Sequence, residues 1–201
     1  MISLQNGDKH LRIRPVLGKG QTMNLQIQLG TEKDIDELEQ LYNDLNDYLE
    51  ANINYPGWIK GVYPVRENAV NGVSGKHLYT VKYKNRIVGS IILSHEPEQA
   101  YRDVKWKIEA DYSDVFVIHT LVVHPEFINC GVGSHLMDFA LQCGREHHIK
   151  TIRLDVFEKN KPAIHLYEKS GYQYIDTVDL GLEEYGLKWF RLYEKIITET
   201  L

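Results

Sequence analysis

The 201 residues suffice for one domain with a modest extension, and an apolar content of 43% supplies a core for it. A formal charge of −5, with no run of Lys and Arg, excludes a nucleic-acid surface and suits a cationic small molecule better. The longest apolar runs, 115–118 and 121–123, fall far short of the ~20 residues that cross a bilayer, so no membrane partner is expected.

Residues 1–22 show no apolar signal segment, which points to the cytoplasm. They read as a flexible extension, or as an added edge strand over 11–16, ahead of one domain covering 23–201. The two cysteines, Cys130 and Cys143, form no Cys-x-x-Cys pair, so neither a disulfide framework nor a metal site is expected.

Leu25, Ile27 and Leu29 alternate with Gln26 and Gln28, the period of a half-buried strand. Thr31 and Asp34 resemble a capping box, after which Ile35, Leu38, Leu41, Tyr42, Leu45 and Leu49 recur at helical spacing. Residues 52–75 are punctuated by Pro56, Gly57, Gly61 and Pro64, with a short helix around 65–70. Tyr55, Trp58 and Tyr63 in this stretch are either pocket walls or caps on the core.

A hairpin follows over 78–93, turning at Asn85-Arg86, with Gly89 marking a bulge or a close approach. Residues 95–113 are polar and read as loop, and 115–123 as a strong strand. A glycine-containing turn then opens a helix bearing Leu136, Phe139, Ala140 and Cys143. A strand over 151–156, a short helix over 162–169 stopped by Gly171, and strands near 172–177 and 189–196 complete the chain. The pattern is α/β: a mixed sheet with helices on both faces.

Between the 115–123 strand and the helix after it stand Asn129, Cys130, Gly131, Val132, Gly133 and Ser134. Free backbone N–H groups and the positive end of a helix dipole converge there, which favours a diphosphate; two glycines before a helix also make an ordinary tight turn. The segment lacks the Gly-Lys-Ser/Thr of a Walker loop, and Leu136 stands where a dinucleotide fingerprint needs a small residue.

This segment resembles motif A of the GNAT acetyltransferases, Gln/Arg-x-x-Gly-x-Gly/Ala. Gly131 and Gly133 fit, whereas Ile128 stands where Gln or Arg is usual. The run Asn160-Lys161-Pro162-Ala163-Ile164-His165-Leu166-Tyr167-Glu168-Lys169-Ser170-Gly171-Tyr172 is similar to motif B of the same family. The similarity covers residues 25–196. It implies the GNAT fold, with a mixed, mostly antiparallel sheet, and direct attack of an uncharged amine on the thioester of acetyl-CoA, a co-substrate used without a metal.

By the resemblance, the backbone of Leu121, Val122 and Val123 pairs with the pantetheine arm and Asn129 to Ser134 hold the pyrophosphate. The Asn160 side chain contacts the cofactor or, alternatively, only caps its helix. Tyr167 is the expected acid for the leaving thiolate, the alternative being a core tyrosine packed with Leu166 and Ala163. A lysine-like amine of pKa ~10.4 is almost wholly protonated at neutral pH, so a base is needed.

His119 is the candidate base, histidine being the residue type that ordinarily titrates near neutrality. Strand alternation places it on one face with Val117 and Leu121, which leaves a structural histidine equally open. Glu126 is held in reserve, His124 reads as turn structure and Cys130 as a loop filler. The acceptor is expected to be a small-molecule primary amine, with Tyr55, Trp58 and Tyr63 as pocket walls. Acetylation of a protein amine, a non-catalytic coenzyme A-binding module and a protein-interaction role through the aromatic loop are the competing readings. A homodimer through the late strands stays open.

Overall fold

The first helix shows how closely local chemistry sets this architecture. In the computed structural model, which describes residues 23–197, strand β1 (Gln26–Leu29) leads through a short 3-10 turn into helix α1 (Ile35–Glu50). The Asp34 carboxylate accepts from the Thr31 backbone N–H and hydroxyl, both at 2.8 Å, which fixes the chain's entry into the helix. Leu38, Leu41, Tyr42, Leu45 and Leu49 then bury one stripe against the sheet, together with Ala69 from helix α2 (Arg66–Ser74). The extension reading of residues 1–22 lies outside the described residues.

Strands β2 (Leu78–Tyr83) and β3 (Arg86–Ser94) form the expected hairpin. Its turn is Lys84-Asn85, one position earlier than the spacing suggests: these two residues take φ of 49° and 62°, and Arg86 already pairs with Tyr83. Two successive left-handed residues match the twist of a two-residue hairpin. Gly89 marks both a bulge and a close approach. The register shifts beside it, and an added Cβ would come within 2.9 Å of the Val122 carbonyl and 3.0 Å of Val132.

Strand β4 (Val115–Val123), helix α3 (Val132–Glu146) and strand β5 (Thr151–Phe157) make the one parallel crossover among the described strands. Helix α4 (Lys161–Lys169) and strands β6 (Gln173–Leu182) and β7 (Leu187–Ile196) complete a seven-stranded sheet of order β1-β2-β3-β4-β5-β7-β6. Every other pairing is antiparallel. Helices α1 and α2 cover one face, and α3 and α4 pack on the other.

The sheet opens in its middle. Strands β4 and β5 are paired only from Val115↔Thr151 to Ile118↔Leu154; beyond that point β4 stays with β3, and β5 continues alongside β7 to Phe157. At the opening, Ser90 faces Val122 while Ile92 faces His119, so β4 carries one extra residue, and Thr120 takes φ of 45°. The bulge reverses the facing of everything after it. Val117 packs with Tyr101 and Leu192 on the α1 side, yet Leu121 and Val123 pack on the α3 side. His119 therefore does not share a face with Leu121 as alternation predicts, because the inserted residue shifts the period by one.

The long 95–114 excursion is held to the sheet by a buried ion pair. Arg153, 3% exposed, donates from Nε to Glu194 Oε1 at 3.0 Å and from Nη2 to the Ile108 carbonyl at 2.9 Å. Its guanidinium lies 4.3 Å from the Trp106 ring centre, and Glu194 accepts from the Lys107 N–H at 2.7 Å. Breaking one member strands the other charge in the interior. Arg153→Ala should lower unfolding stability by about 3–5 kcal/mol in a urea titration, and Arg153→Met with Glu194→Leu should recover most of that loss.

Candidate active site

The glycine loop presents the donors that an anion needs. Asn129 and Gly131 take left-handed φ of 64° and 85°, which turns the chain into α3 with Gly131 as its N-cap. The first intrahelical bond runs from the His135 N–H to the Gly131 carbonyl, so among the described residues the N–H groups of Gly131, Val132, Gly133 and Ser134 have no carbonyl partner. Nothing lies within 4 Å of a Cβ placed on Gly131. At Gly133 a Cβ would come within 3.1 Å of Leu166, so the glycine lets α4 pack against the first turn of α3. Val132 is buried in the core beneath, and Cys130 packs beside it with its thiol 3.8 Å from the Ile128 carbonyl.

Beside this loop the β4–β5 fork leaves the β5-facing edge of Leu121, Val122 and Val123 without a strand partner among the described residues. A Cβ placed on Gly133 would lie 3.9 Å from Val123, so this edge and the loop adjoin. Residues able to hold a diphosphate and an extended amide-bearing arm are therefore contiguous. Asn160 is the N-cap of α4, its Oδ1 accepting from the Ala163 N–H at 3.4 Å. The structure thus shows its capping role.

The opposite wall of the fork gathers aromatic and acidic groups. The Tyr63 hydroxyl and Thr120 Oγ1 lie 2.6 Å apart, which ties the loop after α1 to the bulge itself, and burial pushes the Tyr63 phenol up to about 12. Trp58 packs edge-on against Tyr63 at 5.3 Å while resting on the core under α1, so it serves both as wall and as cap. Tyr55 shares none of these contacts. His119 is 24% exposed; its Nε2 lies 3.1 Å from the Glu96 carbonyl, so Nε2–H donates, and its lone-pair Nδ1 faces Glu98 Oε1 at 4.0 Å.

Tyr167, 7% exposed, packs on Tyr172 and Tyr193 at centroid distances of 6.3 and 6.4 Å. Burial raises its phenol well above the usual range, and negative charge on Asp155 and Tyr63 adds to the effect. The side chain is thus a fully protonated donor at neutral pH that also packs in the core. The reserve candidates are engaged elsewhere. Glu126 pairs with Arg86 at 2.7 Å, and His124 binds Arg86 and Asp44, knitting the turn to α1. Burial and the Arg86 charge lower the His124 pKa.

Asp155 escaped the sequence reading. It follows the last residue of β5 that pairs with β4 and accepts a 2.8 Å hydrogen bond at Oδ2 from Tyr101, which is 1% exposed. Burial raises the Asp155 pKa, against the opposing effects of Tyr101 and His119. One signal was available: within 151–157 the polar residues Thr151, Arg153 and Asp155 alternate with Ile152, Leu154 and Val156, and a carboxylate at the end of such a strand needs a reason. Tyr101 and Glu98 carried no comparable signal inside a polar stretch.

Residues 38–172 match the Acetyltransferase (GNAT) family model. An uncharacterized N-acetyltransferase of Methanocaldococcus jannaschii is 26% identical over 94 residues, a stretch that spans 47% of this chain and 38% of that protein. A GNAT-family acetyltransferase of Streptococcus agalactiae superposes with a TM-score of 0.68 at 20% identity, covering 87% of this chain and 96% of its own. A Salmonella typhimurium protein solved with its cofactor acetyl-CoA superposes at 0.64 and 11% identity, covering 88% and 95%. The ribosomal-protein-S18-alanine N-acetyltransferase of Escherichia coli gives 0.62 at 12% identity, with 88% and 96% covered. The chain belongs to the GNAT acetyltransferase family.

The raised Asp155 pKa has a stability consequence with a defined sign. Between the ordinary carboxylate value and the raised one, the folded state binds more protons than the unfolded state, so stability falls as pH rises through that window. Asp155→Asn should therefore melt at a higher temperature than the parent at pH 7, with the difference shrinking as the pH is lowered toward ~4, the unfolded carboxylate range.

Proposed function

We propose that this protein is a cytoplasmic N-acetyltransferase that moves the acetyl group of acetyl-CoA to the primary amine of a small molecule by direct attack. The observation that carries the reading is the continuity of the Gly131–Ser134 donors with the free edge of Leu121, Val122 and Val123, both opening onto one fork. Acetyl-CoA supplies an activated acetyl thioester. The family membership and the acetyl-CoA found with the Salmonella typhimurium protein support that donor.

The chain's own groups divide the work. The backbone N–H groups of 131–134 offset diphosphate charge at the positive end of α3. His119 Nδ1, 4.0 Å from Glu98 Oε1, takes the proton from the acceptor ammonium. Tyr167, kept protonated by burial, gives its hydroxyl proton to the departing sulfur. Trp58 and Tyr63 bound the acceptor side. Tyr55 belongs to the same loop as a further proposed pocket residue, and Asn160 acts as a positioning residue for α4.

Titration calorimetry with acetyl-CoA, followed by a free-thiol assay across primary amines, tests the reading. Saturable binding with amine-dependent thiol release is expected, and absence of binding would overturn it. Gly131→Val should abolish binding, because its side chain would occupy the space left open over the loop. Tyr167→Phe should leave the acetyl-CoA affinity within about twofold and lower kcat by about tenfold or more, in the range of general-acid contributions.

A further inference from the structure

We infer that Asp155 is the residue that recognises the acceptor, binding it as a small alkylammonium ion at the apex of the β4–β5 fork. This rests on the acetyltransferase reading above and adds the chemical class that the acceptor pocket selects.

Three observations converge on it. Asp155 is the first residue of β5 beyond the last pairing with β4, where the two strands separate. Its Oδ2 accepts from Tyr101, whereas among the described residues no second side chain donates to the carboxylate and no Lys or Arg comes within ion-pair distance. The fork around it also carries His119 with Glu98 at 4.0 Å and Tyr63 bonded to Thr120 at 2.6 Å, and a negative charge on Asp155 helps to hold the Tyr63, Tyr101 and Tyr167 phenols protonated.

A carboxylate drawn out of water without a cationic partner is costly, and the contrast within this chain is direct. Arg153, two residues earlier on the same face of β5, has an ion-pair partner in Glu194 and a further acceptor in the Ile108 carbonyl. Asp155, half-buried, has the Tyr101 hydroxyl and its own backbone N–H as donors and, among the described residues, no Lys or Arg partner. An alkylammonium ion supplies what is missing: a compact positive charge with three donors. A neutral arylamine offers neither the charge nor the number of donors.

Holding the ammonium here does not oppose the chemistry. The amine enters in the form that dominates at neutral pH, and its proton then passes to His119 Nδ1, which faces Glu98. Tyr101 acts as a positioning residue, its phenol fixing the carboxylate rotamer from a fully buried site.

The test separates binding from turnover. With coenzyme A present in excess, binding of 1-butylamine to the parent, Asp155→Asn and Asp155→Glu is measured by calorimetry, and thiol release from acetyl-CoA is followed with 1-butylamine and with aniline, neutral at pH 7. The expected result is a loss of about tenfold or more in butylamine affinity and kcat/KM for Asp155→Asn, partial recovery in Asp155→Glu, and aniline turnover changed by less than about threefold. Acetyl-CoA affinity unchanged in both variants establishes that they are folded. Butylamine that fails to bind the parent, or binds Asp155→Asn equally well, overturns the assignment, as does an equal loss with aniline. Binding that depends on Asp155 without thiol release from any amine upholds the subsite while overturning the acetyltransferase reading.

Discussion

The whole arrangement hangs on one backbone event, the extra residue at Thr120. A strand in regular register would stay bonded to both neighbours and alternate its side chains without interruption. Instead β4 twists at the bulge, keeps β3 and releases β5 after Ile118. The released edge is what exposes Leu121, Val122 and Val123, and the strained residue is held by the Tyr63 hydroxyl at 2.6 Å. A left-handed φ at a β-branched residue persists only where its surroundings over-determine it. Here those surroundings are the sheet on one side and the aromatic loop on the other.

From that event the two halves of the site separate cleanly. The side facing α3 is built from backbone: free N–H groups at a helix start, an open strand edge, and glycines where a side chain would intrude. The side facing α1 is built from side chains, namely Trp58, Tyr63, Glu98, Tyr101, His119 and Asp155. Backbone suits a partner that is always the same, since it depends little on side-chain identity. Side chains suit a partner that must be discriminated.

Legibility in the sequence follows the same division. The element order, the helical stripe from Leu38 to Leu49 and the Gly131/Gly133 loop are local patterns, and they stand in the structure where they were read; the strand over 25–29 forms from Gln26, but Leu29 at its end is exposed rather than on a buried face. The hairpin was legible too, but its turn moved by one residue because a two-residue turn is chosen by twist rather than by composition. The facing of Leu121 was misread because a bulge leaves no mark when period two is assumed throughout. Asp155, Tyr101 and Glu98 were missed because strands and excursion meet only through the fold: Tyr101 and Asp155 are far apart in the chain and 2.8 Å apart in space.

The 95–114 excursion shows what the division permits over evolutionary time. It carries Glu98 and Tyr101 to the fork, yet it belongs to no strand ladder, and its attachment through Trp106, Lys107 and Ile108 converges on a single guanidinium–carboxylate pair at Arg153 and Glu194. Tyr101 aside, which is buried against Val115, Val117 and Leu192, the segment adds no rung to the strand ladders and no contact to the glycine loop among the described residues. The protein is in effect a fixed chassis with a detachable jaw, and descendants of such a chain can change diet by redrafting one segment while inheriting the donor machinery untouched.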